Sequence, residues 1–75
     1  PTIKIIGAIK LLMYFDDHAP PHFHIYYNEF EALISIQSLE VLAGYVPNKQ
    51  LKKAVKWASE HQEYLRLKWS ELNPR

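Results

Sequence analysis

His22-Phe23-His24-Ile25-Tyr26-Tyr27-Asn28-Glu29-Phe30-Glu31-Ala32-Leu33-Ile34-Ser35-Ile36-Gln37 reads as strand, tight turn, strand. Residues 22–28 alternate. Phe23, Ile25 and Tyr27 fall on one face, and His22, His24 and Tyr26 on the other. In residues 31–37, Ala32, Ile34 and Ile36 make an apolar side, and Leu33, Ser35 and Gln37 a mixed one. Asn28-Glu29 is placed to be the turn centre, although Asn-Gly would signal it more strongly. A sheet with one apolar face needs a second layer to cover it, and the rest of the chain is read for that layer.

Upstream, Asp16 to Pro21 is a loop, because Pro20 and Pro21 fit neither a helix interior nor a central strand. Ile9 to Phe15 reads as a strand with Ile9, Leu11, Met13 and Phe15 on the core side and Lys10, Leu12 and Tyr14 opposite. Residues 1–8 are apolar and β-branched, with Gly7 permitting a bend. Downstream, Ser38 to Glu40 turns the chain, and Val41 to Val46 forms a short fourth strand with Gly44 as a bulge or bend.

Pro47 and Asn48 then open a helix, with Asn48 as N-cap. Leu51, Val55, Ala58, Gln62, Leu65, Trp69 and Leu72 follow helical spacing, and Ala54, Trp57, His61 and Tyr64 widen that stripe. No Gly or Pro interrupts residues 48–72, and Asn73-Pro74 stops the helix. Such a helix would span roughly 37 Å, longer than a four-strand sheet needs. Either it breaks near Ser59–Gln62, or its far end is covered by another subunit. Trp69 and Leu72 lack obvious cover, so a homodimer or protein partner through the C-terminal helix is expected. The expected fold is α+β: a three- or four-stranded antiparallel sheet with a long C-terminal helix packed on one face.

The totals bound this reading. Seventy-five residues suit a single domain, 1–46 being sheet and His-rich loop and 47–73 the helical region. A chain of this size buries only roughly 60% of its unfolded surface. Its 48% hydrophobic content is too high for a disordered chain. With no cysteine, disulfides and Cys-based zinc sites are excluded, and any metal must be held by His, Asp or Glu. No apolar run spans a bilayer, and Lys4 and Lys10 interrupt the N-terminal apolar segment that a signal peptide would need. A cytoplasmic protein with no membrane role is expected, and Pro1 reads as the residue left after loss of an initiator Met. The net charge of +1 says nothing of nucleic acid by itself.

Chemistry concentrates in Asp16-Asp17-His18-Ala19-Pro20-Pro21-His22-Phe23-His24, where three of the four histidines fall within nine residues. His22 and His24 on one strand face have Cα atoms about 7 Å apart, so their rings can converge. Three readings stay open. As a metal site, His22 and His24 would be ligands to a divalent ion such as zinc, with His18 or Asp17 the third. As a metal-free acid–base pair, one imidazole neutral and one charged, they could cleave RNA, with His18 beside them. As a structural loop, the histidines would only cap and hydrogen-bond.

For RNA, Lys10 and the helical stripe Lys49, Lys52, Lys53 and Lys56 would hold phosphates, with Tyr14 or Tyr26 against a base. A solvated lysine face and packed tyrosines are the ordinary alternatives. A non-enzymatic interaction module is a third function class. No Gly-rich phosphate loop or nucleophile elbow is present.

Tyr14 to His24, then Glu31 to Ile36, Gly44-Tyr45-Val46-Pro47 and Trp57-Ala58, resemble a family of small bacterial proteins catalogued as domain of unknown function number forty-one sixty. The resemblance covers nearly the whole chain, with Ala19 where a proline is expected. It implies a prokaryotic cytosolic protein and, from the gene neighbourhoods of such proteins, a toxin–antitoxin role. It carries over no catalytic residue. At fold level the chain is also similar to HicA-type RNA-cleaving toxins, in size, sheet and a histidine near a strand; that likeness alone does not establish function.

Overall fold

In the computed structural model, which describes residues 1–74, five strands precede two helices. The strands are β1 Thr2–Ile6, β2 Ile9–Leu12, β3 His22–Tyr27, β4 Phe30–Ser35 and β5 Val41–Tyr45. They pair antiparallel in chain order. The helices are α1 Asn48–Ser59 and α2 Gln62–Leu72. The class is α+β as expected, but the sheet has five strands rather than three or four, and the long helix is two.

The added strand is β1. Gly7, at φ 57°, turns the chain so that Ile6 pairs with Ile9 and β1 folds back on β2. The β3–β4 hairpin follows the alternation read from sequence. Tyr27 pairs with Phe30 around Asn28-Glu29, with Asn28 at φ 52°. In β5 the irregularity lies at Leu42, which is skipped between the Leu33–Ala43 and Ile34–Val41 pairs. Gly44 itself is in register opposite Ala32. Its φ of 80° and its close approach to the Glu31 backbone both require the missing side chain.

Ile9, Leu11, Phe23, Ile25, Ala32 and Ile34 line one sheet face and are buried together with Ala54 and Ala58 of α1 and Leu65 and Leu72 of α2. The helices therefore cover that face. α1 begins at Asn48, and Pro47 takes the N-cap position without a side-chain bond. The Pro47 carbonyl accepts from the N–H groups of Gln50 and Leu51, so Asn48 is already helical.

The break between the helices needs no Gly or Pro. His61 Nδ1–H donates to the Trp57 carbonyl at 2.8 Å, and Ser59 Oγ–H to the Lys56 carbonyl at 2.7 Å. Side chains thus satisfy carbonyls that helical N–H groups would otherwise take. Gln62 Nε2 then donates to the carbonyls of Ile36 and Gln37, at 2.8 and 3.2 Å, anchoring the corner to the turn that follows β4.

The break redirects α2 so that its end finds cover within the chain. Leu72 is 6% exposed, and the Trp69 ring lies 5.2 Å from that of His22. The reason for expecting a partner over Trp69 and Leu72 is thereby removed. Among the described residues no helix is long and apolar enough to cross a membrane.

Candidate metal centre

The loop between β2 and β3 is tied down at several points. Asp16 takes φ 53°, a left-handed conformation that Asp tolerates better than most residues. Its N–H donates to the Leu72 carbonyl at 3.3 Å, and the Asp17 N–H to Asn73 Oδ1 at 2.6 Å. Asn73 is itself buried and donates Nδ2–H to the Trp69 carbonyl at 3.1 Å. The Pro21 carbonyl accepts from Ile36 N–H at 3.1 Å, and the Ala19–Pro20 peptide is cis. These bonds set the Asp17 carboxylate beside the first residues of β3.

There Asp17 Oδ2 lies 3.0 Å from His22 Nε2 and 3.2 Å from His24 Nε2. The other ring nitrogens are committed elsewhere. His22 Nδ1 is 2.8 Å from the Pro20 carbonyl oxygen, and His24 Nδ1 is 3.1 Å from Glu31 Oε2. A carbonyl or carboxylate oxygen can only accept, so each Nδ1 carries a hydrogen. In a neutral imidazole that leaves Nε2 as a bare lone pair. His24 Nε2 lies within hydrogen-bond distance of Asp17 Oδ2, so it either carries a second ring hydrogen and donates to the carboxylate or offers a lone pair to a metal ion, and His22 Nε2 is the nitrogen left without a hydrogen bond.

His22 carries the argument further. Its ring is 1% exposed, and its Nε2 is buried without a hydrogen bond, since the short approach to Asp17 is not aligned as one. Unsatisfied buried polar atoms are uncommon and call for a reason. The donor atoms of Asp17, His22 and His24 all lie within 4.8 Å of one another. An ion ~2.1 Å from each would hold neighbouring donors ~3.0 Å apart in octahedral geometry and ~3.4 Å apart in tetrahedral geometry. The two approaches to Asp17, 3.0 and 3.2 Å, have that spacing, which is also that of a hydrogen bond, and the third pair lies within 4.8 Å.

The surroundings complete the pattern. Backbone carbonyl and carboxylate partners on the remote nitrogens are what fix ligand histidines in metal sites. Trp69 packs on His22, and Tyr14 places its ring 4.7 Å from that of His24 at 81°. Burial pushes Asp17 upward. The hydrogen bonds from His24 and from the His18 N–H, with the charges of His22 and His24, outweigh it and hold the carboxyl below its ordinary 3.8. Tyr14 and Tyr26 join hydroxyl to hydroxyl at 2.7 Å. That bond, burial and Glu31 together hold the Tyr26 phenol well above its usual 10.0.

The residues singled out from the sequence divide into three groups. Asp17, His22 and His24 converge. His18 does not join them: it is 82% exposed, with Nδ1 3.1 Å from the other Asp17 oxygen, Oδ1. Lys10, Tyr14 and Tyr26 gather beside the centre with Leu12 around a groove of about 440 Å³. Lys49, Lys52, Lys53 and Lys56 are exposed on α1, which covers the Phe23–Ile25 face, whereas strand alternation puts His24 on the opposite face. Sheet and core thus separate the lysine stripe from the histidines.

His22 also departs from expectation. Strand alternation alone puts it on an open face, but Trp69 and Asp17 close over it. Four contributors escape the sequence reading: Glu31, Trp69, Asn73 and the Pro20 carbonyl. Only Glu31 has a local signal. The Asn28-Glu29 turn pairs it with Tyr26, on the His24 face.

A family model described as Domain of unknown function (DUF4160) matches residues 8–70, a span that includes every residue of this centre except Asn73. The chain belongs to that family. No curated protein and no solved structure gives a match.

Proposed function

We propose that this member of the family binds one divalent transition-metal ion, zinc first among them, through Asp17, His22 and His24, and serves as a metal-dependent hydrolase. The observation that carries this is the convergence of Asp17 Oδ2 with two Nε2 atoms whose partner nitrogens are already hydrogen-bonded. Two imidazoles and one carboxylate suit zinc, iron, manganese or nickel better than calcium or magnesium. Three protein ligands leave positions for water and substrate, which is how catalytic zinc sites differ from structural ones. A divalent ion held there would supply Lewis-acid activation of water. The chain's own residues would hold the ion in a fixed place. Glu31 and Pro20 orient the rings, while Trp69 keeps water from the far side of His22.

The reading as a toxin-like ribonuclease, with His22 and His24 as a metal-free acid–base pair, draws less support. A 1%-exposed His22 cannot reach a ribose hydroxyl, and the lysine stripe belongs to the other layer. The interaction-module reading loses its motive once Trp69 and Leu72 are covered. Elemental analysis of untagged protein, followed by titration with zinc, manganese and nickel, tests the proposal. One ion per chain is expected, and Asp17→Asn and His24→Ala should each weaken binding. If the protein emerges metal-free and takes up none of the three, the proposal is wrong.

A further inference from the structure

Beside the centre, on the sheet face away from the helices, Lys10, Leu12, Tyr14 and Tyr26 line a groove of about 440 Å³. Its floor is continuous with the metal ligands. Leu12 is the direct cross-strand partner of His24, and Lys10 that of Tyr26. Tyr14, which forms one wall, touches the His24 ring edge-on at 4.7 Å. The Tyr26 ring lies parallel to that of His24, 8° from coplanar, at 6.3 Å. A molecule resting in this groove is therefore next to His24, a proposed ligand. The volume falls in the range of small-molecule sites, roughly 300–1,000 Å³.

The lining names a chemical class. Lys10 is exposed and, like Lys4, Lys49, Lys52 and Lys53 among the described residues, has no carboxylate within ion-pair distance, and it is the cation that lines this groove. An unpaired ammonium at the rim of a groove is a point-charge site for a phosphoryl group. Leu12 and the two phenol rings offer apolar and π surface to a flat organic portion. Glu31, the nearest acid of the network, is held by His24 Nδ1 and by Tyr26, so its charge is partly spent. Resting on the metal reading above, we infer that this groove is the substrate subsite and that it takes a small phosphoester with a planar organic group. Lys10 neutralises the phosphoryl charge and Leu12, Tyr14 and Tyr26 seat the ring.

Phenylphosphonate, which has the charge and ring but no hydrolysable P–O–C bond, is the probe, with inorganic phosphate and phenol as partial ligands. Calorimetric titrations are run on zinc-loaded and on chelator-treated protein, wild type and Lys10→Met. The substitution keeps the stem and sits on the surface, so folding should survive. Loss of a charge-assisted contact predicts roughly a 10-fold or greater rise in Kd for phenylphosphonate, with metal content unchanged. Inorganic phosphate and phenol should each bind more weakly than phenylphosphonate. If wild type and Lys10→Met bind phenylphosphonate equally, or if neither binds it, the subsite assignment is overturned even where zinc is held normally. If instead no zinc is held but chelator-treated protein still binds phenylphosphonate through Lys10, the metal reading fails and the anion site stands.

Discussion

Asp17→Asn is the perturbation that separates a metal centre from a hydrogen-bonded histidine cluster. The substitution is isosteric, and the backbone N–H of residue 17 keeps its bond to Asn73 Oδ1. Without metal, the amide that replaces the carboxylate can still pair with a histidine Nε2 but loses the charge of the bond to His24, so the metal-free variant should be about 1–2 kcal/mol less stable than wild type. With zinc the two should part. A ligand that binds only the folded state at 100 times its Kd stabilises by about 2.7 kcal/mol. In a chain of 75 residues, each kcal/mol moves Tm by roughly 4–8 °C, so wild type should gain roughly 10–20 °C. A charged ligand contributes at least as much as an outer-shell partner, whose loss costs up to about 100-fold in affinity. The same zinc concentration then falls near the variant's Kd, where stabilisation is about 0.4 kcal/mol and the shift about 2–3 °C. Thermal melts with chelator and with zinc, followed by circular dichroism, measure both. A wild-type Tm indifferent to zinc, or equal shifts in the two proteins, would mean that the Asp17 carboxylate holds no ion.

Three further outcomes are expected. Trp69→Ala removes the wall against His22 and should lower stability by about 3 kcal/mol in urea unfolding, with a weaker zinc affinity in the same protein. Gly44→Ala places a Cβ against the Glu31 carbonyl at a φ of 80°. The left-handed backbone alone costs about 1–2 kcal/mol, so hydrogen exchange in β5 should accelerate well before that in β3. Tyr26 holds its proton more tightly folded than unfolded, so its contribution is complete below the unfolded value of 10.0 and is lost as pH rises past it towards the folded one. Tyr26→Phe should therefore flatten the fall in stability that chemical denaturation records between about pH 9 and 11, around the ordinary phenol value, and an unchanged slope would show that the phenol is not held.

How much of the molecule is legible in its sequence depends on which forces are local. The β3–β4 hairpin can be read because alternation and a two-residue turn are encoded within sixteen neighbouring positions, His22 to Gln37. The helix stripe can be read for the same reason, and Ala54, Ala58, Leu65 and Leu72 are buried as it requires. β1 escapes because it is an edge strand with little burial to impose a pattern: Ile5, at 61% exposure, breaks the alternation that would mark it. The sequence narrows the helix break to the right residues, but choosing it requires knowing that His61 and Ser59 turn onto backbone carbonyls and that Gln62 finds the turn that follows β4. That choice decides the site. Only a broken helix brings Trp69 onto His22 and Asn73 under Asp17, contacts between residues about fifty positions apart that no local pattern announces.

The bond from Asp17 N–H to Asn73 Oδ1 joins residues 56 positions apart. On a ribosome adding roughly 5–20 residues per second, Asn73 follows Asp17 by about 3–11 s. The histidines and their strand are made early, yet the loop presenting the carboxylate waits for a residue made several seconds later. On the proposed metal reading, emergence of Asn73, rather than synthesis of the histidine segment, would be the moment at which the centre could compete for an ion. A stalled or truncated product lacking Asn73 would carry the histidines without the bond that holds the Asp17 loop.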